Sequence, residues 1–90
     1  MVPYYHGVPV ELTADAARQL QKLPRTIRTR VMHILDRLER WPDVSGAKPL
    51  RGELAGKFRS RTGDWRVQFS LRGDVVVVER IGHRDGFYEG

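Results

Sequence analysis

The sequence predicts a single α+β domain of order β-α-α-β-β-β, in which a small antiparallel sheet has a helical hairpin packed on one face. A chain of 90 residues supports only one hydrophobic core, so residues 1–90 are expected to form one domain. Two consecutive stretches carry apolar residues at three- and four-residue spacing, which indicates two amphipathic helices. Two turn signals then separate three runs of strand-forming residues, which completes the predicted order.

The first strand is predicted at Val8–Leu12, where apolar and polar residues alternate. Pro9 lacks a backbone N–H, so this strand is expected at an edge of the sheet. Thr13 is a suitable N-cap for the helix that follows, because a threonine hydroxyl accepts a hydrogen bond from the first helical turn. The apolar stripe of this first helix comprises Leu12, Ala16, Leu20 and Leu23.

A second helix is predicted from Pro24, which suits a first turn because its missing N–H costs nothing there. Trp41-Pro42 ends this helix, since proline disfavours the helical conformation of the residue before it. A loop is expected over residues 42–49. The apolar stripe of the second helix comprises Ile27, Val31, Ile34, Leu35 and Leu38.

A β-hairpin is predicted over roughly residues 55–72, with its turn at Gly63-Asp64. Alternate side chains of a strand point to opposite faces, so Arg59 and Arg61 share one face. After the turn, Arg66 falls on that same face. The hairpin therefore gathers three guanidiniums over a small area, which is costly unless an anion pairs with them.

The last strand is predicted at Val75–Ile81, after a turn at Arg72-Gly73-Asp74. Its four consecutive valines favour a central position in the sheet or cover on both faces. The tail that follows, Gly82–Tyr88, brings a histidine, an arginine and a tyrosine into close succession.

Positive charge is concentrated in one segment of a chain whose formal net charge is +5. Residues 48–72 carry seven basic and two acidic side chains, so the whole excess lies there. Of the 16 basic residues 13 are arginine, whose planar guanidinium pairs with phosphate oxygens and stacks on bases. A phosphate-bearing partner is therefore predicted, with an acidic protein as the alternative. The seven basic residues are Lys48, Arg51, Lys57, Arg59, Arg61, Arg66 and Arg72.

Composition disfavours metal, disulfide and membrane sites. Without cysteine the chain has no thiolate metal site, and its three histidines lack the spacing of metal ligands. We therefore expect no metal and no cofactor. No apolar run approaches the roughly 20 residues that cross a membrane, and the N-terminus lacks a secretory pattern. A cytoplasmic location without a membrane partner is expected.

Several segments occur in an order and spacing that are typical of one family. They are Val10-Glu11-Leu12-Thr13, Leu23-Pro24, the stretch from Lys48 to Gly56, Phe58-Arg59, the stretch from Gly63 to Val67, and Ile81-Gly82-His83-Arg84 with Tyr88. Through them the chain, roughly from Val8 to Tyr88, resembles the RelE/ParE superfamily of small toxins from type II toxin–antitoxin systems, and its RelE-like branch in particular. The resemblance implies a RelE-like fold of the order predicted above.

For the RelE-like branch, the resemblance also implies an endoribonuclease that cuts messenger RNA in the ribosomal A site. The residues expected to act in catalysis are Arg61, Arg66, His83, Arg84 and Tyr88. The residues expected to bind RNA are Lys48, Arg51, Lys57 and Arg59. One subgroup of the family adds a glutamate in the loop before the hairpin, where this chain has Lys48 or Pro49, so that acid is absent and the general base is unassigned.

RNA cleavage of this kind needs an activated 2′-hydroxyl, charge stabilisation on the phosphate and a proton for the leaving oxygen. Preorganised guanidiniums stabilise such charge, which gives this role to Arg61 and Arg66, followed by Arg84. Histidine exchanges protons near neutral pH, so His83 is a candidate general acid or base. Tyr88 is a second candidate base, or else stacks on a nucleobase or orients the nucleophile. Arg66 and Arg84 are both expected at the surface.

The predicted partners are a cognate antitoxin protein, the ribosome and messenger RNA. Two alternatives stay open: a ParE-like toxin that inhibits DNA gyrase without being an enzyme, and a non-toxic module that binds RNA or protein. ParE-like chains generally lack the combination of hairpin arginines, terminal arginine and terminal tyrosine. Having Arg61, Arg66, Arg84 and Tyr88 together therefore favours the nuclease.

Overall fold

The structure, a computed structural model, describes residues 7–87 and confirms the predicted α+β fold. Its strands are β1 (Val10–Leu12), β2 (Lys48–Pro49), β3 (Lys57–Thr62), β4 (Trp65–Arg72) and β5 (Val75–His83). Its helices are α1 (Ala14–Lys22), α2 (Arg25–Leu38) and the one-turn α3 (Arg84–Phe87), and a single 3-10 turn covers Gly52–Leu54. The strands form one sheet in the order β1-β5-β4-β3-β2. Within residues 7–87, no helix has both the length and the apolar character needed to cross a bilayer.

The two predicted apolar stripes pack on one face of the sheet and form the core. Trp41, just beyond α2, places its ring edge-on against Phe58 and Phe69, with centroids 4.9 and 5.4 Å apart. Such edge-to-face pairs add to the stabilisation that burial alone provides. The buried members of the core are Ala16, Leu23, Val31, Ile34, Leu35, Leu38, Val67, Phe69, Val76, Val78 and Ile81.

The hairpin follows the predicted register, because its two-residue turn is defined by glycine. Gly63 has φ +59°, a left-handed conformation that glycine adopts without steric cost. Phe58 then lies opposite Phe69 on the core side, and Arg61 lies opposite Arg66 on the other side. The sequence prediction of shared faces is therefore confirmed.

The sheet departs from the predicted antiparallel arrangement at one edge, where β1 runs parallel to β5. The other strand pairs are antiparallel. A parallel pair requires a long connection between its strands, which here is the chain from residue 13 to residue 74. Alternation of apolar residues does not encode strand direction, so the sequence pattern alone could not distinguish the two arrangements.

Two short elements lie where the sequence predicts a loop and a tail. Lys48–Pro49 forms β2 against β3, inside the predicted loop over residues 42–49. Arg84–Phe87 forms α3, inside the predicted tail. Neither element is long enough to show a hydrophobic period, which is why the pattern does not reveal them.

Beyond the short strand β1, α1 completes the edge of β5. β1 pairs with Val76–Val78 only. Further along, the Thr13 hydroxyl donates to the carbonyl of Glu79 at 3.1 Å, and the side-chain oxygen of Gln19 accepts the Ile81 N–H at 2.7 Å. Backbone groups of β5 that β1 does not reach are thus satisfied by side chains of the helical layer.

Thr13 is predicted to be the most sensitive polar position in this layer. Its hydroxyl caps α1 by accepting the Ala16 N–H at 3.1 Å while it also bonds Glu79. We expect Thr13→Ala to lower the free energy of unfolding by about 1–2 kcal/mol, since loss of an N-cap alone typically costs about 1 kcal/mol. Urea denaturation followed by circular dichroism measures this change.

Thr29→Ala is the matched control for this substitution. The Thr29 hydroxyl is exposed and donates to the Arg25 carbonyl of its own helix. Its replacement should change the free energy of unfolding by less than about 0.5 kcal/mol. Equal losses in the two variants would contradict the linking role assigned to Thr13.

Candidate nucleic-acid interface

The side of the sheet that faces away from α1 and α2, here called the outer face, is strongly basic. Residues directly opposite each other on paired strands share a face. Arg59 lies opposite both Lys48 and Gln68, and Arg61 lies opposite Arg66. The basic residues of the outer face are Lys48, Lys57, Arg59, Arg61, Arg66, Arg72 and Arg80. Its acidic residues are Glu11 and Glu79.

A β-bulge in β5 places an acid among these cations. Gln68 of β4 lies opposite Arg80, but the next residue, Phe69, lies opposite Val78, so Glu79 has no partner in the register. A bulge re-aims side chains locally. Here the carboxylate of Glu79 turns to the outer face and accepts three hydrogen bonds there. The donors are Lys57 Nζ at 2.6 Å, Gln68 Nε2 at 3.2 Å and Ser70 Oγ at 2.9 Å.

These contacts keep the Glu79 carboxylate charged. Partial burial raises the pKa of Glu79, but the hydrogen bonds from Lys57, Gln68 and Ser70 and the charge of Lys57 outweigh it. The pKa of Glu79 therefore lies below its ordinary value. Lys57, predicted from the sequence as an RNA contact, is held in this ion pair.

Arg66 is buried, with 7% of its surface exposed, so the prediction that it lies at the surface is wrong. It occupies the central strand β4, opposite Arg61 on one side and Gly82 on the other. One terminal nitrogen donates to the Gly63 carbonyl at 3.1 Å, and within residues 7–87 its buried Nε has no hydrogen-bond partner. A guanidinium stays protonated in proteins, so Arg66 is a fixed positive charge held against the hairpin turn.

Arg84 reaches the same turn from the end of β5. Its backbone N–H donates to the Asp64 carbonyl at 2.7 Å, which ties the start of α3 to the hairpin. Its guanidinium lies 3.9 Å from the Asp64 carboxylate and 3.6 Å from that of Asp85. The side chain is 59% exposed, as predicted. Ion pairs this open to solvent contribute little, so Arg84 remains available to a ligand.

His83 also lies at the turn, but on the other side of the sheet from Arg61. It is opposite Trp65 in the register, and the two rings meet edge-on with centroids 5.2 Å apart. Its Nδ1 accepts the Asp85 N–H at 3.1 Å, so the neutral ring carries its proton on Nε2. With 39% of its side chain exposed, His83 is accessible to solvent at the end of the sheet that carries the hairpin turn.

The predicted site residues therefore divide into three groups. Around the hairpin turn the structure gathers Arg61, Arg66, His83 and Arg84. Away from it, on the outer face, are Lys48, Lys57 and Arg59. Arg51 is exposed in the loop before the 3-10 turn, outside the sheet, and Tyr88 lies outside the described residues.

Arg37 is a cation near Arg61 that the sequence does not single out. A cavity of about 220 Å³ lies between α2, the loop at residues 44–46 and β3. Arg37 and Arg61 both line it, together with Ser60. No periodicity connects a helix and a distant strand, so only the packed structure reveals that the two arginines line the same cavity.

Arg80 and Glu79 are the other residues that the sequence did not single out. Arg80 lies over the ring of Phe87, 4.5 Å from its centroid, and donates to the Gly86 carbonyl at 3.2 Å. This cation–π contact holds α3 against the outer face. Among the described residues, no three histidine, aspartate or glutamate side chains are grouped closely enough to hold a metal ion.

Comparison with known proteins identifies the family. Residues 10–86 match the family model described as the ParE toxin of type II toxin–antitoxin system, parDE. The chain is 39% identical over 82 residues to the toxin RelG of Mycobacterium tuberculosis, which covers 88% of this chain and 93% of RelG. It is 40% identical over 77 residues to the toxin RelE of the same organism, with coverage of 84% and 78%.

A solved structure agrees with these matches. The toxin–antitoxin complex RelBE2 from Mycobacterium tuberculosis contains a chain that is 37% identical, with a TM-score of 0.75 and coverage of 87% of this chain and 92% of that one. The fold and the basic sheet face thus define a small toxin of the type II toxin–antitoxin class. The chain belongs to the RelE/ParE superfamily and is RelE-like, as the resemblance implied.

The Glu79 network predicts how stability depends on pH. Because the folded state lowers the pKa of Glu79, the network contributes fully above the unfolded pKa of about 4.3 and is lost as the pH falls through the lower folded pKa. The free energy of unfolding of the native chain should therefore drop more between neutral pH and about pH 3 than that of Glu79→Gln. Urea denaturation at both pH values measures the difference.

Glu11→Gln serves as the control for that measurement. Glu11 is exposed on β1, on the same face of the sheet, so its replacement should leave the acid-induced loss as large as in the native chain. An equal loss in Glu79→Gln would contradict the stabilising role assigned to the carboxylate.

Proposed function

We propose that this toxin is a messenger RNA endoribonuclease that acts on the ribosome and inhibits translation. Without a metal ion, a 2′-hydroxyl attacks the adjacent phosphate and forms a 2′,3′-cyclic phosphate, while the bond from phosphorus to the 5′-oxygen breaks and that oxygen takes up a proton. The observation that carries the proposal is the convergence of Arg61, Arg66 and Arg84 on one hairpin turn, with His83 beside them. That arrangement provides both charge stabilisation and a proton-exchanging group within a small region.

The three arginines are suited to the phosphate in different ways. Arg66 is buried and fixed, so its charge is oriented before the substrate arrives. Arg61 is exposed directly opposite it, and Arg84 is exposed on the adjoining strand end. Preorganised donors of this kind stabilise charge that develops in the transition state, and removing one typically slows the reaction by about 100- to 1,000-fold.

His83 is proposed to take part in proton transfer during RNA cleavage. Its Nδ1 faces the backbone N–H and the carboxylate of Asp85, so its Nε2–H is the group proposed to face the RNA and to supply the proton for the leaving 5′-oxygen. His83 lies at the end of the sheet that carries the hairpin turn, on the other side from Arg61. A nucleotide that passes over this turn would therefore reach both His83 and the arginines. Tyr88 is proposed to act beside it, either as the base for the 2′-hydroxyl or by stacking on a nucleobase.

A cognate antitoxin and the ribosome are the proposed partners. The similar mycobacterial chain was solved as a toxin–antitoxin complex, which supports a protein antitoxin for this chain. We propose that acidic or amphipathic segments of that antitoxin cover the basic outer face. The same face, through Lys48 and Arg59, would contact phosphates of ribosomal and messenger RNA.

Inhibition of DNA gyrase is the second candidate function. It is favoured by one observation, that the matching family model is described as a ParE toxin. In that case, the arginines around the turn would bind a protein or DNA without catalysing cleavage. A module that only binds RNA would likewise bind through these residues and make no cut.

The test is induced expression of the chain followed by mapping of messenger RNA 5′ ends, with a gyrase supercoiling assay in parallel. New 5′ ends within translated regions and normal supercoiling are expected. Arg61→Ala and Arg84→Ala should each reduce cleavage by about 100-fold or more and relieve growth arrest. Arg66 is unsuitable for this comparison, because truncation of a buried residue also destabilises the fold.

Arg72→Ala is the matched control for these variants. Arg72 is exposed on the same face, but at the far end of β4 from the turn, so its replacement should leave the cuts in place. Growth arrest that persists in the double variant Arg61→Ala/Arg84→Ala would overturn the proposed site. Arrest with inhibited supercoiling and no new 5′ ends would instead establish the gyrase function.

A further inference from the structure

Glu79 divides the outer face into two ends of different electrostatic character. At one end its carboxylate is 2.6 Å from Lys57 Nζ. At the other end Arg61 lies opposite Arg66, beside the hairpin turn. Lys57 and Arg61 are four residues apart on the same strand, which corresponds to about 13 Å.

Lys57 itself has little attraction left for phosphate. A carboxylate in contact with a cation cancels most of the attraction of that cation for another anion. The carboxylate also repels the approaching anion directly. Glu79 is not free to turn away, because Gln68 and Ser70 also donate to it and three quarters of its side chain is covered. The repulsive group is therefore part of the folded sheet.

The turn end keeps its positive charge. Arg61 is exposed, and Arg66 is fixed beneath it by its bond to the Gly63 carbonyl. The acids that lie nearby, Asp64 and Asp85, are 62% and 78% exposed and sit 3.6 to 3.9 Å from Arg84. Solvent screens such pairs strongly, so they reduce the field at this end far less than the Glu79 contact does at the other.

We infer that Glu79 is a positioning residue that biases the RNA backbone toward the turn end of the outer face, because it neutralises Lys57 and repels phosphate from its surroundings. The inference rests on the proposed function, since it assumes that RNA is the ligand of this face. It adds that Lys57 does not contact RNA, which disfavours binding of RNA at positions on this face that do not include the hairpin turn. A merely structural Glu79 would affect stability alone.

The salt dependence of RNA binding distinguishes the two roles. For single strands, each phosphate neutralised by the protein adds about 0.7 to the slope of log affinity against log salt. Glu79→Gln releases Lys57 to contact one more phosphate, so we expect its slope to be steeper than the native slope by about 0.7. The probe is a fluorescein-labelled 2′-O-methyl RNA of mixed sequence, which cannot be cut by 2′-hydroxyl attack, titrated at increasing potassium chloride and read by fluorescence anisotropy.

Glu11→Gln is the matched control for this experiment. It removes one negative charge from the same face and changes the net charge by the same amount, but Glu11 lies on the edge strand β1, which pairs with β5 and not with the strand that carries Lys57. Its slope should equal that of the native chain. Adding Lys57→Met to Glu79→Gln should return the slope to the native value, since the released cation is then absent.

A second measurement uses the native chain and does not depend on any variant folding. The chain has three lysines, Lys22, Lys48 and Lys57, so acetylation of each can be followed by mass spectrometry. Lys57 should be acetylated equally with and without the RNA, as should Lys22, which lies on α1. Protection of Lys57 by RNA would overturn the inference.

The outcomes separate the inference from the proposed function. If the native chain binds RNA but the slopes of Glu79→Gln and Glu11→Gln are the same, the inference is wrong and the nuclease proposal stands. If the native chain does not bind the RNA at any salt concentration, the RNA-binding role of this face is overturned, and the inference fails with it.

Discussion

The hydrogen-bonded carboxylate of Glu79 is the interaction on which the basic sheet face depends. Among residues 7–87, the strands place seven cations and two acids on the outer face, and a bulge turns the acid near its centre, Glu79, toward the cations. The same bulge is held from the edge of the sheet, where Thr13 of the helix cap donates to the Glu79 carbonyl. Glu79 thus connects the helical layer, the register of β4 and β5, and the charge of the outer face. A change there is expected to affect stability and binding together.

Burial separates the arginines around the hairpin turn into one that is held in place and two that are accessible to a ligand. Arg66 lies on the central strand, is buried and contacts the turn backbone, so its charge cannot move away when no ligand is present. Arg61 and Arg84 are exposed on either side of it. Concentrating like charge in this way costs stability that an anion returns on binding, which is consistent with a face built for phosphate. For a toxin held by an antitoxin, the same cost would favour an acidic partner.

The fold and the basic face follow from local rules, whereas the fine geometry of the site does not. Alternation along the hairpin and a glycine turn determine the register, so the shared face of Arg59, Arg61 and Arg66 could be predicted. The bulge at Glu79 depends on how backbones pair, which hydropathy does not record. Burial of Arg66 depends on the strands paired on both sides of it and on α3 beside β4, which the sequence pattern does not encode. Family resemblance identified the class of toxin, and the arrangement around the turn came only from the structure.

The most direct test of the account is to observe the arginine side chains while RNA binds. In the isotopically labelled chain, the Nε–Hε signals of individual arginines can be assigned by NMR and followed as 2′-O-methyl RNA is added. The account predicts that the signals of Arg61, Arg66 and Arg84 shift together, while those of Arg25 and Arg30 on the exposed side of α2 stay in place. Shifts confined to the α2 arginines, with none around the hairpin turn, would contradict it.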